Sequence, residues 1–199
     1  MSSTEDKFIR LLRRQKQIRV MGIDDSPFVK DVDPQVSVSG IVCANTRFEG
    51  MIWTEVTRDG DDATETLITQ IRQSKFYEQL HLILLDGVAM AGFNVVDLKQ
   101  LSEALQLPCL TLMRKAPDLV KMKRAMQKVP HTAQKLARLK QAGPIYRYDA
   151  FYYQAYGLDP GVSARVLQQL TDTGNVPEAL RLAHLIGAAV KLGESTRRA

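Results

Sequence analysis

Cysteine is scarce in this sequence: only Cys43 and Cys109 occur among its 199 residues, and each lies in an apolar stretch. A structural zinc site needs more ligands at tighter spacing than two distant cysteines provide. A structural disulfide is not expected in a reducing compartment. We therefore interpret both cysteines as small buried side chains of the core.

Long apolar runs are missing as well. A membrane-spanning helix needs about 20 consecutive apolar residues, and no run in the sequence approaches that length. The first seven residues are polar and contain no apolar segment of the kind found in secretory signal peptides. We expect a cytoplasmic protein without a membrane partner.

Several motifs that identify common enzyme classes are also absent. The sequence has no G-x-S-x-G nucleophile turn, which argues against a serine hydrolase of the common α/β type. It has neither the G-x-x-x-x-G-K-[ST] phosphate loop nor the G-x-G-x-x-G dinucleotide fingerprint. Phosphate-loop nucleotide hydrolases and nicotinamide-dependent enzymes are therefore disfavoured.

Positive charge is what the sequence has in excess. The formal net charge is +5, and eight basic residues with one acid, Asp118, lie between 115 and 140. The basic residues are Lys115, Lys121, Lys123, Arg124, Lys128, Lys135, Arg138 and Lys140. Such a stretch is typical of a solvated helical face, and beside a metal site it would also suit a nucleic-acid backbone.

The order of predicted elements indicates an α/β fold. Residues 1–17 are expected to form a charged arm or helix, and residues 18–199 one domain. Strands are predicted at 18–24, 36–44, 51–57, 80–85 and 108–113, and helices near 63–76, 96–105, 117–141, 160–172 and 177–191. Residues 87–94 are predicted as a loop, and 146–156 as a strand followed by a turn. Three antiparallel strands followed by parallel ones, flanked by helices, constitute a ribonuclease-H-like layout.

Two acids directly follow strand-like apolar runs. Asp86 ends residues 82–86, and Asp24 ends the run that begins at Ile18. Ligands of open α/β sheets bind at the carboxyl ends of the strands, so the two carboxylates are expected side by side. Carboxylates held together repel one another, and a hard cation such as Mg²⁺ or Mn²⁺ relieves that repulsion. The pattern therefore predicts a metal site suited to phosphate chemistry.

Other residues near these acids have a structural and a functional interpretation. An acid from residues 59–65 is expected to complete the site, although Asp61 or Asp62 would equally cap the following helix. Asn94 would contact substrate or cap a helix, and Lys115 would bind a phosphate or remain solvated. His184 would pack against the helix or move protons beside the acids.

Four segments together resemble endonuclease V: 22–24, 84–87, 108–110 and 177–184. Segments 22–28, 62–64 and 92–97 more closely resemble the deoxyuridine endonuclease family, and the likeness spans about residues 18–199. The resemblance implies a ribonuclease-H-like fold and a magnesium-dependent endonuclease. Its substrate would be DNA containing a deaminated base such as uracil, with RNA left open.

The resemblance also assigns the candidate residues. Asp24, Asp86 and Asp62 would bind the metal, with Asp59 and then Glu65 as alternatives for the third ligand, and His184 would join them in catalysis. Phe48 stands near where endonuclease V carries a wedge that parts the duplex, although the proline and tyrosine of that wedge are absent here. The remaining substrate contacts would be Asp25, Asp59, Asn94 and Lys115.

Two other functions fit the same residues. One is a nucleic-acid-binding protein on a nuclease-like fold that does not cut, and the other is a metal-dependent phosphohydrolase of small molecules. A fold alone does not choose among them. The oligomeric state is left open by the sequence.

Overall fold

The structure is a computed structural model that describes residues 3–30, 32–149 and 151–196. Its strands are β1 (Arg19–Asp25), β2 (Gln35–Ala44), β3 (Arg47–Thr57), β4 (Leu82–Asp86), β5 (Ala89–Met90), β6 (Asn94–Val95), β7 (Cys109–Met113), β8 (Tyr146–Tyr148) and β9 (Phe151–Tyr156). Its helices are α1 (Thr4–Arg13), α2 (Ala63–Gln73), α3 (Leu98–Leu105), α4 (Leu119–Met126), α5 (Thr132–Gln141), α6 (Pro160–Gln169) and α7 (Glu178–Leu192). Within the described ranges, no helix has the length and apolar character that crossing a bilayer requires.

Seven strands form one mixed sheet in the order β3-β2-β1-β4-β7-β9-β8. The first three strands pair antiparallel, whereas β4 pairs parallel with both β1 and β7. The predicted layout of three antiparallel strands followed by parallel ones is confirmed. The parallel strands are joined by crossover helices, which is why their residues are apolar on both faces.

The sheet separates two apolar cores. Alternate residues of β1 and β4 point to opposite sides, as the period of a strand requires. Val20 and Leu84 pack with α6 and α7, whereas Met21 and Leu85 pack with α2 and α3. The helix α2 turns its apolar stripe, Leu67, Ile68 and Ile71, onto the second core.

Three predicted boundaries were wrong. The strand β3 begins at Arg47 rather than at residue 51, with a register shift between Val42 and Cys43 of its partner strand. Within residues 146–156, predicted as a strand and a turn, β8 and β9 form two antiparallel strands that pair with each other. The predicted loop at 87–94 contains β5 and the first residue of β6, and these two strands pair as a short hairpin.

The N-terminal segment folds as a helix. Ser3 caps α1 by accepting a hydrogen bond from the amide of Asp6, whose carboxylate bonds back to the amide of Ser3. The side chain of Phe8 is fully buried in the core that α6 and α7 share. This helix therefore packs at the end of the sheet where β1 begins.

Helix α7 lies unusually close to β1 at Gly22. A β-carbon on Gly22 would lie 2.6 Å from the backbone carbonyl carbon of Ala179 and 2.7 Å from the amide nitrogen of Leu180. Backbone atoms do not give way as the tip of a side chain does. We therefore expect Gly22→Ala to lower the free energy of unfolding by about 2–3 kcal/mol, measured by urea denaturation.

The variant Gly161→Ala is the control for this prediction. It adds the same methyl group in the first turn of α6, where the nearest heavy atom is a carboxylate oxygen of Asp159 at 3.2 Å. We expect its free energy of unfolding to change by less than about 1 kcal/mol. Equal effects of the two substitutions would contradict the close packing of α7 on β1.

Candidate active site

Two adjacent parallel strands bring Asp24 and Asp86 together. In the register between β1 and β4, Ile23 lies opposite Leu85, so the next residue on each strand is one of the two acids. Neighbouring strands lie about 4.8 Å apart. Both acids fall on the face that carries α7, as the alternation of β1 and β4 dictates. The predicted meeting of these strand ends is confirmed.

Helix α7 adds His184 to this pair. Its Nδ1 lies 3.0 Å from Oδ2 of Asp24. The hydroxyl of Ser39 on β2 donates a hydrogen bond of 3.1 Å to the carbonyl of Ala183, which fixes the helix beside the sheet at this level. One ligand atom from each of Asp24, Asp86 and His184 lies within 4.8 Å of the others. We call these three residues the acid–histidine cluster.

Burial and mutual repulsion dominate the electrostatics of the cluster. Burial and the neighbouring carboxylate of Asp24 raise the pKa of Asp86 to about 6, although Arg114 and His184 oppose this. The pKa of His184 is raised by its hydrogen bond to Asp24, against the effect of its partial burial. The cluster thus holds more negative charge than its own side chains neutralise.

This donor set fits a divalent cation. Two carboxylates and an imidazole suit Mn²⁺, and the carboxylates suit Mg²⁺ with water completing its shell. The raised pKa of Asp86 marks a carboxylate whose charge is under-compensated. A cation bound between Asp24 and Asp86 would remove that penalty.

The predicted third acid lies outside the acid–histidine cluster. The carboxylate of Asp62 accepts hydrogen bonds from the backbone amide of Thr57 and from its hydroxyl, the latter at 2.8 Å, and from the side-chain amide of Asn94. The carbonyl oxygen of Asn94 in turn accepts a hydrogen bond from the amide of Ala63 at the start of α2. Asp62 and the fully buried Asn94 therefore join β3, β6 and α2.

The two alternative acids have partners of their own. Asp59 accepts a hydrogen bond of 2.8 Å from the amide of Phe93, and Glu65 accepts one from the side chain of Gln100 on the surface of α2 and α3. None of the three acids is part of the acid–histidine cluster. Their roles as metal ligands stay predictions.

Asp25 lies on the other face of β1 and supports the turn of the β5–β6 hairpin. Its carboxylate accepts a hydrogen bond of 2.9 Å from the amide of Ala91. Burial, together with the charge of Asp24, raises its pKa to about 6. Asp25 and Asp59 thus hold the two ends of the turn 91–93, beside a cavity of about 960 Å³ that Phe28 and Phe93 help to line.

Two predicted substrate contacts, Lys115 and Phe48, are not members of the acid–histidine cluster. Lys115 is exposed in the bend after β7. Phe48, 48% exposed, pairs with Cys43 on β2, which pairs with Val20 of β1. It therefore lies four residues short of Asp24 along the sheet, at the end where β1 begins, and the structure does not bring it to the acids.

The structure adds residues that sequence reasoning missed. Arg114, next to Lys115, places Nη2 3.2 Å from Oδ2 of Asp86. The carboxylate of Asp61 forms ion pairs with Lys135 and Arg138 of α5 and with His131 of the turn before it. The position of Arg114 directly after a strand ending beside β4 was a signal that could have found it. No local signal links Asp61 to residues 70 or more positions away.

Comparison with solved structures supports the fold assignment. A protein of unknown function from Archaeoglobus fulgidus superposes with a TM-score of 0.83 at 34% identity, covering 87% of this chain and 98% of that chain. Endonuclease V of Ciona intestinalis, solved with an inosine-containing DNA, gives a TM-score of 0.56 at 14% identity over 89% of this chain and 91% of that chain. The fold is ribonuclease-H-like, as predicted from the order of elements.

Sequence comparison identifies the family. The UPF0215 protein of Methanothermobacter thermautotrophicus is 37% identical to this chain over 186 residues, which cover 91% of each chain. Residues 16–191 match the family profile described as Endonuclease dU. The relationship that the sequence motifs indicated is thereby confirmed: the chain belongs to the endonuclease dU family.

Proposed function

We propose that this protein is a metal-dependent endonuclease that hydrolyses phosphodiester bonds in DNA containing deaminated bases such as uracil. The observation that carries the proposal is the acid–histidine cluster of Asp24, Asp86 and His184 at the carboxyl ends of β1 and β4. Ligands of open α/β sheets bind at that edge. The family description and the DNA bound to the related endonuclease V fold support the choice of substrate.

Asp24 and Asp86 would hold Mg²⁺ or Mn²⁺, with Asp62 as the proposed third ligand. Bound there, such a cation would lower the pKa of an attacking water and stabilise the negative charge on the leaving oxygen. Asp62 would have to exchange its contacts with Thr57 and Asn94 for the cation, so its contribution ranks below that of the two strand-end acids.

The remaining residues of the site bind, orient and move protons. With its proton on Nδ1, His184 would donate a hydrogen bond to the carboxylate of Asp24, which would fix the ring and leave Nε2 to exchange a proton with the substrate. Arg114 orients Asp86 and presents its other N–H groups to a phosphate oxygen. We propose Lys115 as a second phosphate contact, and Asp25, Asp59 and Asn94 as the residues that shape the wall of the site.

An oligonucleotide assay tests this function. We expect wild-type protein with Mg²⁺ or Mn²⁺ to nick a duplex containing uracil, and we expect a chelator to stop the reaction. The matched duplex without uracil is the control for specificity, and duplexes with hypoxanthine or an abasic site test the range of lesions. Substrates that all stay intact with either metal would refute the proposal.

The same assay separates the two alternative functions. Binding of DNA that survives a chelator and yields no product would identify a nucleic-acid-binding protein. Metal-dependent release of phosphate from nucleotides or phosphate esters, with DNA left intact, would identify a small-molecule phosphohydrolase. Each result replaces the nuclease proposal.

A further inference from the structure

The cations of α4 form a stripe on one side of the helix. Met122 and Met126, one turn apart, pack into a small third core with Val88 and Val95. Lys121 and Arg124 lie three residues apart and Lys128 four beyond, so they share a face turned away from the two methionines. All three side chains are exposed.

The turn after α4 keeps Lys128 in this stripe. The amides of Gln127 and Lys128 bond to carbonyls three residues earlier, so the helical path continues past Met126. Seven residues at about 1.5 Å each separate Lys121 from Lys128 by about 10 Å. That length matches about three nucleotide steps at about 3.4 Å of axial rise each.

The stripe is not neutralised by neighbouring acids, unlike the cations of α5. Lys135 and Arg138 both contact Asp61. Across residues 3–30, 32–149 and 151–196, no ion pair joins a carboxylate to Lys121, Arg124 or Lys128. The nearest acid along the helix, Asp118, caps it by accepting a hydrogen bond from the amide of Lys121.

The helix that carries the stripe lies between two cavities. At its N-terminal end, on the side of the methionines, Leu119 lines a small cavity with Gly87, the residue after Asp86. At its end, Lys128 lines the larger cavity with Lys30, from the loop that follows β1. The two ends of this helix thus lie near the segments that follow β4 and β1.

We propose that Lys121, Arg124 and Lys128 form a phosphate-binding face that holds the backbone of a nucleic acid beside the acid–histidine cluster. The inference rests on the proposed function, since it names the surface that presents the polymer to that cluster. Regular spacing of unpaired cations along one line suits a polymer with regularly spaced charges. Phosphate contacts of this kind position a duplex without reading its sequence.

The salt dependence of binding tests this face. The triple variant Lys121→Gln, Arg124→Gln, Lys128→Gln is compared with wild type for binding of a labelled duplex by fluorescence anisotropy, in chelator so that nothing is cut. Each lost phosphate contact lowers the slope of log affinity against log salt by about 0.9, so the expected decrease is about 2.7. From 50 to 200 mM salt, the affinity of the variant should fall about 40-fold less than that of wild type.

A second triple variant controls for net charge. Lys7→Gln, Arg14→Gln, Lys16→Gln removes three exposed cations from α1 and the segment after it, at the opposite end of β1. We expect its slope of log affinity against log salt to stay within about 0.5 of the wild-type slope. Equal slopes for all three proteins, or equal decreases in both variants, would overturn the proposal.

Two further measurements distinguish a failure of this inference from a failure of the proposed function. A poly-glutamate peptide that displaces the duplex from wild type at equal charge concentration would identify a site for an acidic protein and overturn the proposal. A wild-type protein that cuts no DNA with Mg²⁺ or Mn²⁺ would refute the nuclease function. The slopes, measured in chelator, would still decide whether the face binds phosphates.

Discussion

Asp86→Asn is expected to abolish metal-dependent cleavage while leaving the protein folded. The substitution keeps the size of the side chain but removes one of the two carboxylates that would hold the cation. Loss of the cation's several kcal/mol of transition-state stabilisation corresponds to a rate decrease of about 1,000-fold or more. Single-turnover cleavage of the uracil duplex measures this, and circular dichroism verifies the fold.

The same variant is expected to be more stable than wild type without metal at pH 7. The pKa of Asp86 is raised to about 6 from its ordinary value of 3.8, so the folded state binds more protons than the unfolded state between these values. The stability of the wild type therefore falls as pH rises from about 4 to about 6, and stays lower above that range. Asparagine does not titrate, so the advantage of the variant should vanish near pH 4.

Added Mn²⁺ should make the wild type more stable than Asp86→Asn. A cation that binds only the folded wild type raises its Tm, whereas the variant should gain little. Glu103→Gln, on the exposed surface of α3, removes the same charge and should match wild type in cleavage and in its response to Mn²⁺. Cleavage by Asp86→Asn within tenfold of the wild-type rate would contradict the proposed role of this acid.

The strand-end acids could be predicted from sequence because local features determine them. An apolar run that ends in an acid fixes both the strand and the place of the carboxylate. Parallel pairing of β1 and β4 then follows because β2, β3 and α2 reverse the chain in turn, so that β4 runs in the direction of β1. His184 required the resemblance to a known family, because a lone histidine on a helix has no local signature.

The surroundings of Asp62 could not be predicted in the same way. The sequence shows an acid before a helix, which fits a cap, a ligand or both. Only the fold shows that Asn94, 32 positions later, bonds the carboxylate and the start of α2. Contacts between segments so far apart depend on how the sheet and helices pack, which the local pattern does not contain.

Two other details could not be predicted, because the sequence does not determine the position of a single side chain. Arg114 and Lys115 are adjacent and both cationic, and the direction of the chain leaving β7 decides which one reaches Asp86. Phe48 was expected in a loop before a strand that begins at residue 51. Because β3 begins at Arg47, Phe48 is fixed within the sheet, level with Val20 rather than with Asp24.

Asp61→Ala is expected to lower the free energy of unfolding by about 3 kcal/mol. The side chain of Lys135 is fully buried, and its Nζ donates hydrogen bonds to Oδ1 of Asp61 at 2.7 Å and to the carbonyl of Gly60 at 2.8 Å. Removing the carboxylate leaves a buried ammonium without its counter-charge, which typically costs about 3–5 kcal/mol. Urea denaturation with a common m-value for both proteins measures the loss.

A second substitution tells whether the buried charge is the cause. In Asp61→Ala, Lys135→Met the ammonium is replaced by an apolar side chain of similar length, so most of the lost stability should return. Lys135→Met alone should cost less than Asp61→Ala, because Asp61 is partly exposed and keeps His131 and Arg138 as partners. If the double variant is no more stable than Asp61→Ala, the loss arises from the turn 58–62 rather than from the ion pair that joins it to α5.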